Sequence, residues 1–218
     1  MIKSLICDLD GPILDGRERH HHCYSKILKD GGYVPMDINT YWDMKRRHRS
    51  LKEQLEASGA GSFHEDFYER WLRMIELPEV LELERLQHGA YEKLGYWKDQ
   101  GIRLVLVTMR QSTANLHQQL SRMKLEVFWE KVLVSEHLLG AKGKAMIFRS
   151  EFPLVCIDEC LWIGDTEIDT EAANDLGCRS CFVNCGIRDK NYLGGPKPDF
   201  IVDNLAGVEL SSGTGARS

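Results

Sequence analysis

The sequence predicts an α/β protein in which a Rossmann-like parallel sheet carries an α-helical insertion. Short apolar runs alternate with helical segments along most of the chain, a pattern typical of parallel sheets that are covered on both faces. Residues 16–86 break this alternation, because they contain helical stripes and no convincing strand. We therefore expect a core formed by residues 1–15 and 87–210, a helical insertion at 16–86, and a disordered tail of small polar residues at 211–218.

Six short apolar runs are suited to buried strands. In chain order they are residues 2–7, 103–108, 132–134, 161–163, 180–183 and 200–202. Helical segments separate them at 89–100, from Ser112 onward, at 142–149 and at 166–176. Ser112 is a suitable N-cap for its helix, and Gly177 is a suitable residue to end the last one. This order of elements predicts one parallel sheet with helical crossovers.

Composition and charge argue against two classes of function. The 218 residues include 28 basic and 33 acidic side chains, giving a net charge of −5, which disfavours a nucleic-acid partner bound through many phosphate contacts. No apolar run approaches the ~20 residues that cross a bilayer, and the N-terminus has no signal-peptide cleavage pattern. We therefore expect no membrane partner and a cytoplasmic location. The seven cysteines are an odd number, which favours free thiols.

Polar residues end or follow four of the predicted strands, namely Asp8, Thr108, Ser135 and Asp165. Ligands of open α/β sheets bind beyond the carboxyl ends of the strands, so these side chains are expected at one edge. Asp10 and Asp169 bring two further carboxylates to the same place. Four carboxylates crowded together without nearby basic partners are the ligand set of a hard cation. The sequence therefore predicts a Mg²⁺ site here.

Four motifs in this order resemble those of the haloacid dehalogenase-like hydrolase superfamily, and their layout resembles its phosphoglycolate phosphatase-like group with a helical cap. They are DLDG at 8–11 after an apolar strand, Thr108 at the end of a strand, a lysine within AKGK at 141–144, and GDTEID at 164–169. For the lysine, Lys142 is favoured because it opens the predicted helix, and Lys144 is the alternative.

The resemblance implies a Mg²⁺-dependent phosphatase in which Asp8 attacks phosphorus and forms an aspartyl-phosphate. Asp10 would protonate the leaving oxygen and later take a proton from water, and a neighbouring carboxylate is expected to raise its pKa for that purpose. Mg²⁺ would be held by Asp8, the backbone carbonyl of Asp10 and Asp165. Asp169 would complete the metal site or position the lysine.

The residues expected to bind the phosphoryl group or the rest of the substrate are Thr108, Lys142, Gly11, Met109, Arg110 and Arg47. Arg110 lies two residues beyond the strand end and is predicted to bind a second anionic group of the substrate; the alternative is a solvated side chain. Arg47 belongs to the basic run KRRHR at 45–49. We expect it to reach a substrate anion from the cap, unless the run is a solvated helix face.

The resemblance implies that the helical insertion at 16–86 is a helical cap over the nucleophile. Such a cap encloses a limited volume, so the predicted substrate is a small phosphorylated metabolite. Asp10 favours phosphate transfer over dehalogenation, because halide leaves without a proton and an alkoxide does not. Two alternatives stay open: a sugar phosphomutase of the same superfamily, and a non-catalytic binding protein on the same scaffold.

Overall fold

A six-stranded parallel sheet forms the centre of the computed structural model, which describes residues 1–210. The predicted tail at 211–218 lies outside the described residues. The strands, in chain order and including a separate two-stranded ladder, are β1 (Ser4–Cys7), β2 (Leu14–Asp15), β3 (Arg85–Leu86), β4 (Arg103–Thr108), β5 (Lys131–Val134), β6 (Cys160–Gly164), β7 (Arg179–Val183) and β8 (Phe200–Val202). The large sheet has the order β5-β4-β1-β6-β7-β8, with every neighbouring pair parallel. The predicted α/β, Rossmann-like fold is confirmed.

The central strand β1 fixes where the polar strand ends meet. Cys7 is paired with Leu106 of β4 on one side and with Ile163 of β6 on the other. The next backbone N–H, that of Asp8, donates to the carbonyl oxygen of Ile163 at 2.9 Å. Because the strands are parallel, the residues that follow β1 and β6 emerge side by side at one edge of the sheet.

Helices cover the sheet and fill the segment between β2 and β3. They are α1 (Arg17–Asp30), α2 (Ile38–Arg46), α3 (Leu51–Glu56), α4 (His64–Met74), α5 (Pro78–Leu81), α6 (Ala90–Asp99), α7 (Thr113–Arg122), α8 (Gly140–Glu151) and α9 (Glu167–Leu176). None of the helices within residues 1–210 is long and apolar enough to cross a membrane.

The two faces of the sheet bury different sets of apolar side chains. Leu5 of β1 packs in a cluster with α6 and α7 side chains such as Trp97 and Leu120. Its neighbour Ile6 packs in the cluster that contains Phe148 of α8. Successive side chains of a strand point to opposite faces, so β1 joins both halves of the core, and each such buried side chain contributes about 1.5–3 kcal/mol.

Residues 16–86, called the cap segment below, have an apolar cluster of their own. Helices α1 to α5 lie within this segment. Its buried members include Tyr24, Ile27, Leu28, Tyr41, Leu55 and Phe67, and Tyr24 stacks on Tyr41 with ring centroids 4.3 Å apart. The division of the chain into a core and a cap at residues 15/16 and 86/87 stays a prediction.

One expectation about the cap segment is wrong at its end. The sequence pattern indicated no strand in residues 16–86, but β3 (Arg85–Leu86) pairs antiparallel with β2, with Leu14 opposite Leu86 and Asp15 opposite Arg85. A strand of two residues is too short to show an alternating apolar pattern. This ladder ties together the two points at which the chain enters and leaves the cap segment.

Candidate active site

Three buried carboxylates meet at the carboxyl edge of the sheet. Asp8 follows β1, Asp165 follows β6, and Asp169 lies in the first turn of α9. One oxygen from each lies within 4.8 Å of the others. Asp165 and Asp169 are almost fully buried, and Asp8 is 9% exposed. The order of the strands thus brings together the acids that the sequence placed at strand ends.

The lysine of this cluster is Lys144, which corrects the preference for Lys142. The ammonium of Lys144 lies 2.7 Å from Oδ1 of Asp169 and 3.1 Å from Oδ2 of Asp8, and only 1% of the residue is exposed. Lys142 is exposed on the surface. Two residues on a helix differ by about 200° in direction, so only one of the two lysines can face the cluster.

Asp169 directs both of its oxygens to protein donors. Besides the Lys144 ammonium, Oδ1 accepts a hydrogen bond from the Trp162 indole at 3.4 Å, and Oδ2 accepts one from the Thr166 hydroxyl at 2.9 Å. This arrangement fits the second of the two predicted roles for Asp169, that of positioning the lysine.

Glycines allow backbone to approach the acids closely. A Cβ atom at Gly11, which has φ +101°, would lie 2.1 Å from Cγ of Asp165, and one at Gly186 would lie 1.9 Å from Oδ2 of Asp165. Neither position can accept a side chain without displacing the carboxylate. Gly11 therefore allows the backbone to lie directly against the Asp165 carboxylate. Its predicted role in binding substrate stays a prediction.

The electrostatics of this cluster fit a bound cation. Burial raises the pKa of Asp8 to about 7, with the nearby Asp169 and Asp10 adding to the effect and Lys144 opposing it. Burial also raises the pKa of Asp165 well above its ordinary value. One lysine faces three carboxylates, so the ionised cluster carries an excess of negative charge. Oxygen ligands with such an excess suit Mg²⁺, and Asp8, Asp165 and Asp169 each have one oxygen close enough to the others to share a cation.

Asp10 belongs to a different cluster, in which arginines balance acids. Its carboxylate accepts two hydrogen bonds from Arg110, at 2.6 and 2.7 Å, and one from Arg19 of α1, at 3.0 Å. Both arginines also pair with the buried Glu84, at 2.9 and 2.8 Å. Glu84 in addition accepts a hydrogen bond from Gln119 of α7.

This environment contradicts the expected raised pKa of Asp10. Burial raises the pKa of this carboxyl, but Arg110 and Arg19 outweigh burial and hold it below its ordinary value. The sequence argument considered only the neighbouring acids of the motif, since nothing in it could show that two arginines distant along the chain converge on Asp10. In this arrangement Asp10 is an ion-paired carboxylate.

The two arginines predicted to bind substrate are engaged elsewhere. Arg110 is 4% exposed and pairs with Asp10 and Glu84, so its guanidinium is already engaged in this arrangement, and its binding of a second substrate anion stays a prediction. Arg47 is exposed and pairs with Asp43 at 2.8 Å. Adjacent residues of a helix point about 100° apart, so Arg46, and not Arg47, faces the core.

The remaining predicted residues lie at the same edge of the sheet. Thr108 is the last residue of β4 and is buried, and Met109 after it is half-buried. The backbone oxygen of Thr108 accepts a hydrogen bond from the N–H of Ser135 at 2.8 Å. Their predicted contacts with a phosphoryl group stay predictions.

Sequence reasoning missed Arg19 and Glu84. Arg19 lies in the first turn of α1, and Glu84 directly precedes β3. Neither belongs to a recognisable motif, and ordinary surface helices and turns carry the same residue types. Their ion pairs form only where the cap segment packs against the core.

A small cavity adjoins Asp10 between the cap segment and the core. Its volume is about 40 Å³, and it is lined on the cap side by Arg19, His20 and Trp42 and on the core side by residues that include Gly186 and Ile187. A water molecule needs at least about 10–15 Å³, so the cavity holds only a few atoms.

Comparison with known proteins identifies the family. The family model for haloacid dehalogenase-like hydrolases matches residues 5–183. The chain belongs to this family. A phosphoglycolate phosphatase from Pseudomonas fluorescens is 22% identical over 211 residues, covering 93% of the chain and 77% of the relative.

Two further relatives give the range of the similarity. Pyrophosphatase PpaX from Bacillus cereus is 26% identical over 128 residues, a match that spans 57% of the chain and 58% of the relative's length. Among solved structures, a haloacid dehalogenase-like hydrolase from Streptococcus pneumoniae superposes with a TM-score of 0.73 at 16% identity, covering 94% of this chain and 95% of that one. The structural likeness supports the fold.

Proposed function

We propose that the protein is a Mg²⁺-dependent phosphatase that hydrolyses a small phosphate monoester through an aspartyl-phosphate on Asp8. The observation that carries this proposal is the excess of negative charge around Asp8: three buried carboxylates share a single lysine. A phosphate dianion cannot approach such a cluster unless a cation compensates it. Membership of the haloacid dehalogenase-like hydrolases supports the same conclusion.

The roles of the chain's own residues follow from their positions. Asp8 is oriented by a hydrogen bond from the Leu9 N–H at 2.8 Å and by the Lys144 ammonium at 3.1 Å. A carboxylate oxygen of Asp8 is the nucleophile that attacks phosphorus. Bound Mg²⁺ would neutralise charge between the nucleophile and the phosphoryl oxygens, with Asp8 and Asp165 as its carboxylate ligands. The Thr108 hydroxyl would donate to a phosphoryl oxygen.

Asp10 is proposed to serve proton transfer in the second step. As an ion-paired carboxylate it is in the form that accepts a proton from the water that hydrolyses the phosphoenzyme. In the first step the same group has to deliver a proton to the leaving alkoxide. For this it must loosen its contacts with Arg110 and Arg19 and carry a proton taken from solvent or from the water of the preceding turnover.

The substrate is proposed to be small. The cavity beside Asp10 admits few atoms, and the substrates in the names of two relatives, phosphoglycolate and pyrophosphate, are small and anionic. We regard a small phosphorylated metabolite with a second anionic group as the leading candidate.

A panel of phosphate esters, assayed with Mg²⁺ and with EDTA, tests the function. Free phosphate should appear with Mg²⁺ and not with EDTA, and the smallest anionic substrates should give the highest kcat/KM. Isomerisation of a hexose phosphate faster than phosphate release would instead establish the phosphomutase alternative. Tight binding of phosphate esters without turnover would establish a binding protein.

A further inference from the structure

Arg46, the last residue of α2 in the cap segment, is bound to a loop of the core. This loop, residues 184–189, follows β7 and is called the rim loop here. The guanidinium of Arg46 donates to the backbone oxygens of Gly186 at 2.5 Å and Asn184 at 2.8 Å, and it pairs with Asp189 at 3.3 Å. One side chain of the cap segment thus holds three positions of the rim loop.

The contact with Gly186 leads directly to a candidate metal ligand. The carbonyl oxygen of Gly186 and the N–H of Ile187 belong to the same peptide group. That N–H donates to Oδ2 of Asp165 at 2.6 Å. A single planar peptide group therefore has Arg46 on its oxygen and Asp165 on its nitrogen.

Packing keeps this peptide group against the carboxylate. A Cβ atom on Gly186 would lie 1.9 Å from Oδ2 of Asp165, so only glycine permits the approach. Because the peptide is rigid and pressed against Asp165, a rotation of the group would change both hydrogen bonds together. The orientation of the Asp165 carboxylate thus depends on the position of the rim loop.

Further contacts between the same two segments accompany Arg46. The backbone N–H of Asp189 donates to the carbonyl oxygen of Arg46 at 3.0 Å, and the Arg188 guanidinium donates to that of Lys45, also at 3.0 Å. Arg188 also pairs with Glu167 of α9 at 2.8 Å. The rim loop therefore lies between the end of α2 and the start of the helix that carries Asp169.

We propose that Arg46 is a positioning residue that couples the docking of the cap segment to the metal affinity of Asp165 through the Gly186–Ile187 peptide. The proposal rests on the Mg²⁺ site of the proposed function. Groups that hydrogen-bond to metal ligands fix the ligands' orientation, and their loss lowers metal affinity by about 10–100-fold. Coupling of this kind is reciprocal, so metal binding should in turn favour the docked cap segment.

The shape of the guanidinium matters more than its charge. A planar fork can donate to the Gly186 and Asn184 carbonyl oxygens at once, whereas the single ammonium of lysine cannot reproduce both directions. Arg46→Lys therefore keeps the positive charge and removes the pair of hydrogen bonds to Gly186 and Asn184. Arg49→Lys is a matched control, because Arg49 pairs with Glu53 on the exposed surface of the same segment at 3.0 Å.

The test is a titration of the full chain with Mn²⁺, followed by electron paramagnetic resonance of the free ion. The wild-type protein should bind one Mn²⁺ at the acid cluster, and Asp165→Asn should abolish that binding. Arg46→Lys should weaken the affinity by about three- to tenfold, less than the loss of a direct partner of the ligand, because Arg46 acts on Asp165 through the intervening peptide. Arg49→Lys should leave it within about twofold. Thermal unfolding in EDTA measures how far each variant loses stability, and a loss of Mn²⁺ affinity at a temperature where Arg46→Lys is fully folded separates positioning from stability.

A second variant covers the case in which Arg46→Lys is poorly folded. In Arg46→Met, added guanidinium ion should restore part of the lost Mn²⁺ affinity, and it should have no effect on Arg49→Met. Mn²⁺ affinity of Arg46→Lys equal to that of the wild-type protein would overturn the coupling while leaving the proposed function intact. A wild-type protein that binds no Mn²⁺ would overturn the metal site itself, and with it both proposals.

Discussion

Two buried clusters of charge lie side by side in this protein and differ in their balance. The acid-rich cluster consists of Asp8, Asp165, Asp169 and Lys144, three carboxylates with one ammonium. The balanced cluster consists of Asp10, Glu84, Arg19 and Arg110, two carboxylates with two guanidinium groups. The acid-rich cluster is built entirely from strand ends and helices of the core. The balanced cluster joins α1, the residue before β3, and the loop after β4.

The difference shows which cluster has its charges balanced by the protein alone. Removing charges from water is costly, and only close partners of opposite sign offset the cost. The balanced cluster contains such partners, and Arg110 holds Asp10 with two hydrogen bonds. The acid-rich cluster lacks them, so its stability and its chemistry should depend on an added cation. The predictions below test this contrast, in order of decreasing effect.

The largest effect is expected from Asp8→Asn. The amide has nearly the same shape but cannot attack phosphorus, so phosphate release should fall by about a thousandfold or more. The substitution also removes one charge from the acid-rich cluster, so the melting temperature without metal should be unchanged or higher. Undiminished phosphate release by this variant would contradict the covalent mechanism.

Lys144→Met should destabilise the metal-free protein by about 3–5 kcal/mol, because it leaves three buried carboxylates without a cation. Chemical denaturation in EDTA measures the loss, and Mg²⁺ should restore part of it. Lys142→Met is the matched control and should change the free energy of unfolding by less than about 0.5 kcal/mol. Equal losses in the two variants would contradict the assignment of Lys144 to the cluster.

Glu84→Gln should destabilise the protein by about 2 kcal/mol, since Arg19 and Arg110 then share the single carboxylate of Asp10. In contrast to the lysine variant, Mg²⁺ should not restore the loss, because the balanced cluster has no place for a cation. The same denaturation experiment, with Mg²⁺ and with EDTA, measures this. Recovery with Mg²⁺ comparable to that of Lys144→Met would remove the distinction between the clusters.

The two clusters should also respond to pH in opposite directions. Burial raises the pKa of Asp8 to about 7, above the unfolded value of about 3.9. In EDTA its contribution to stability is therefore full below pH ~4 and is lost as the pH rises toward 7, by up to about 1.4 kcal/mol per unit. The pKa of Asp10 is lowered, so its contribution is lost only as the pH falls below about 4.

Denaturation in EDTA between pH 5 and 7.5 checks the first of these effects. The free energy of unfolding should decrease as the pH rises, and the stabilisation by Mg²⁺ should increase over the same window, because the cation replaces the proton. Stability that rises with pH in EDTA would contradict the crowding of carboxylates at Asp8.

The sequence by itself determined the sheet and the meeting of three of the acids, Asp8, Asp165 and Asp169. The strands at 103–108 and 200–202 were predicted with the bounds that the structure has, and Asp8, Asp165 and Asp169 converge as their positions after strands and in a first helical turn predict. The physical reason is local: apolar runs form buried strands, and parallel strands deliver their following residues to one edge.

The tertiary structure alone decided the partners of these residues. Lys144, and not Lys142, faces the acid-rich cluster, because the packing of the helix decides which side chain points inward. Two lysines on one helix cannot be told apart in this respect from the sequence. Arg110 binds Asp10 and Glu84, and Arg46 reaches the rim loop, because chain segments separated by 26 to 140 residues meet. Such long-range contacts leave no periodic pattern in the sequence, and they arise only when the cap segment packs against the core.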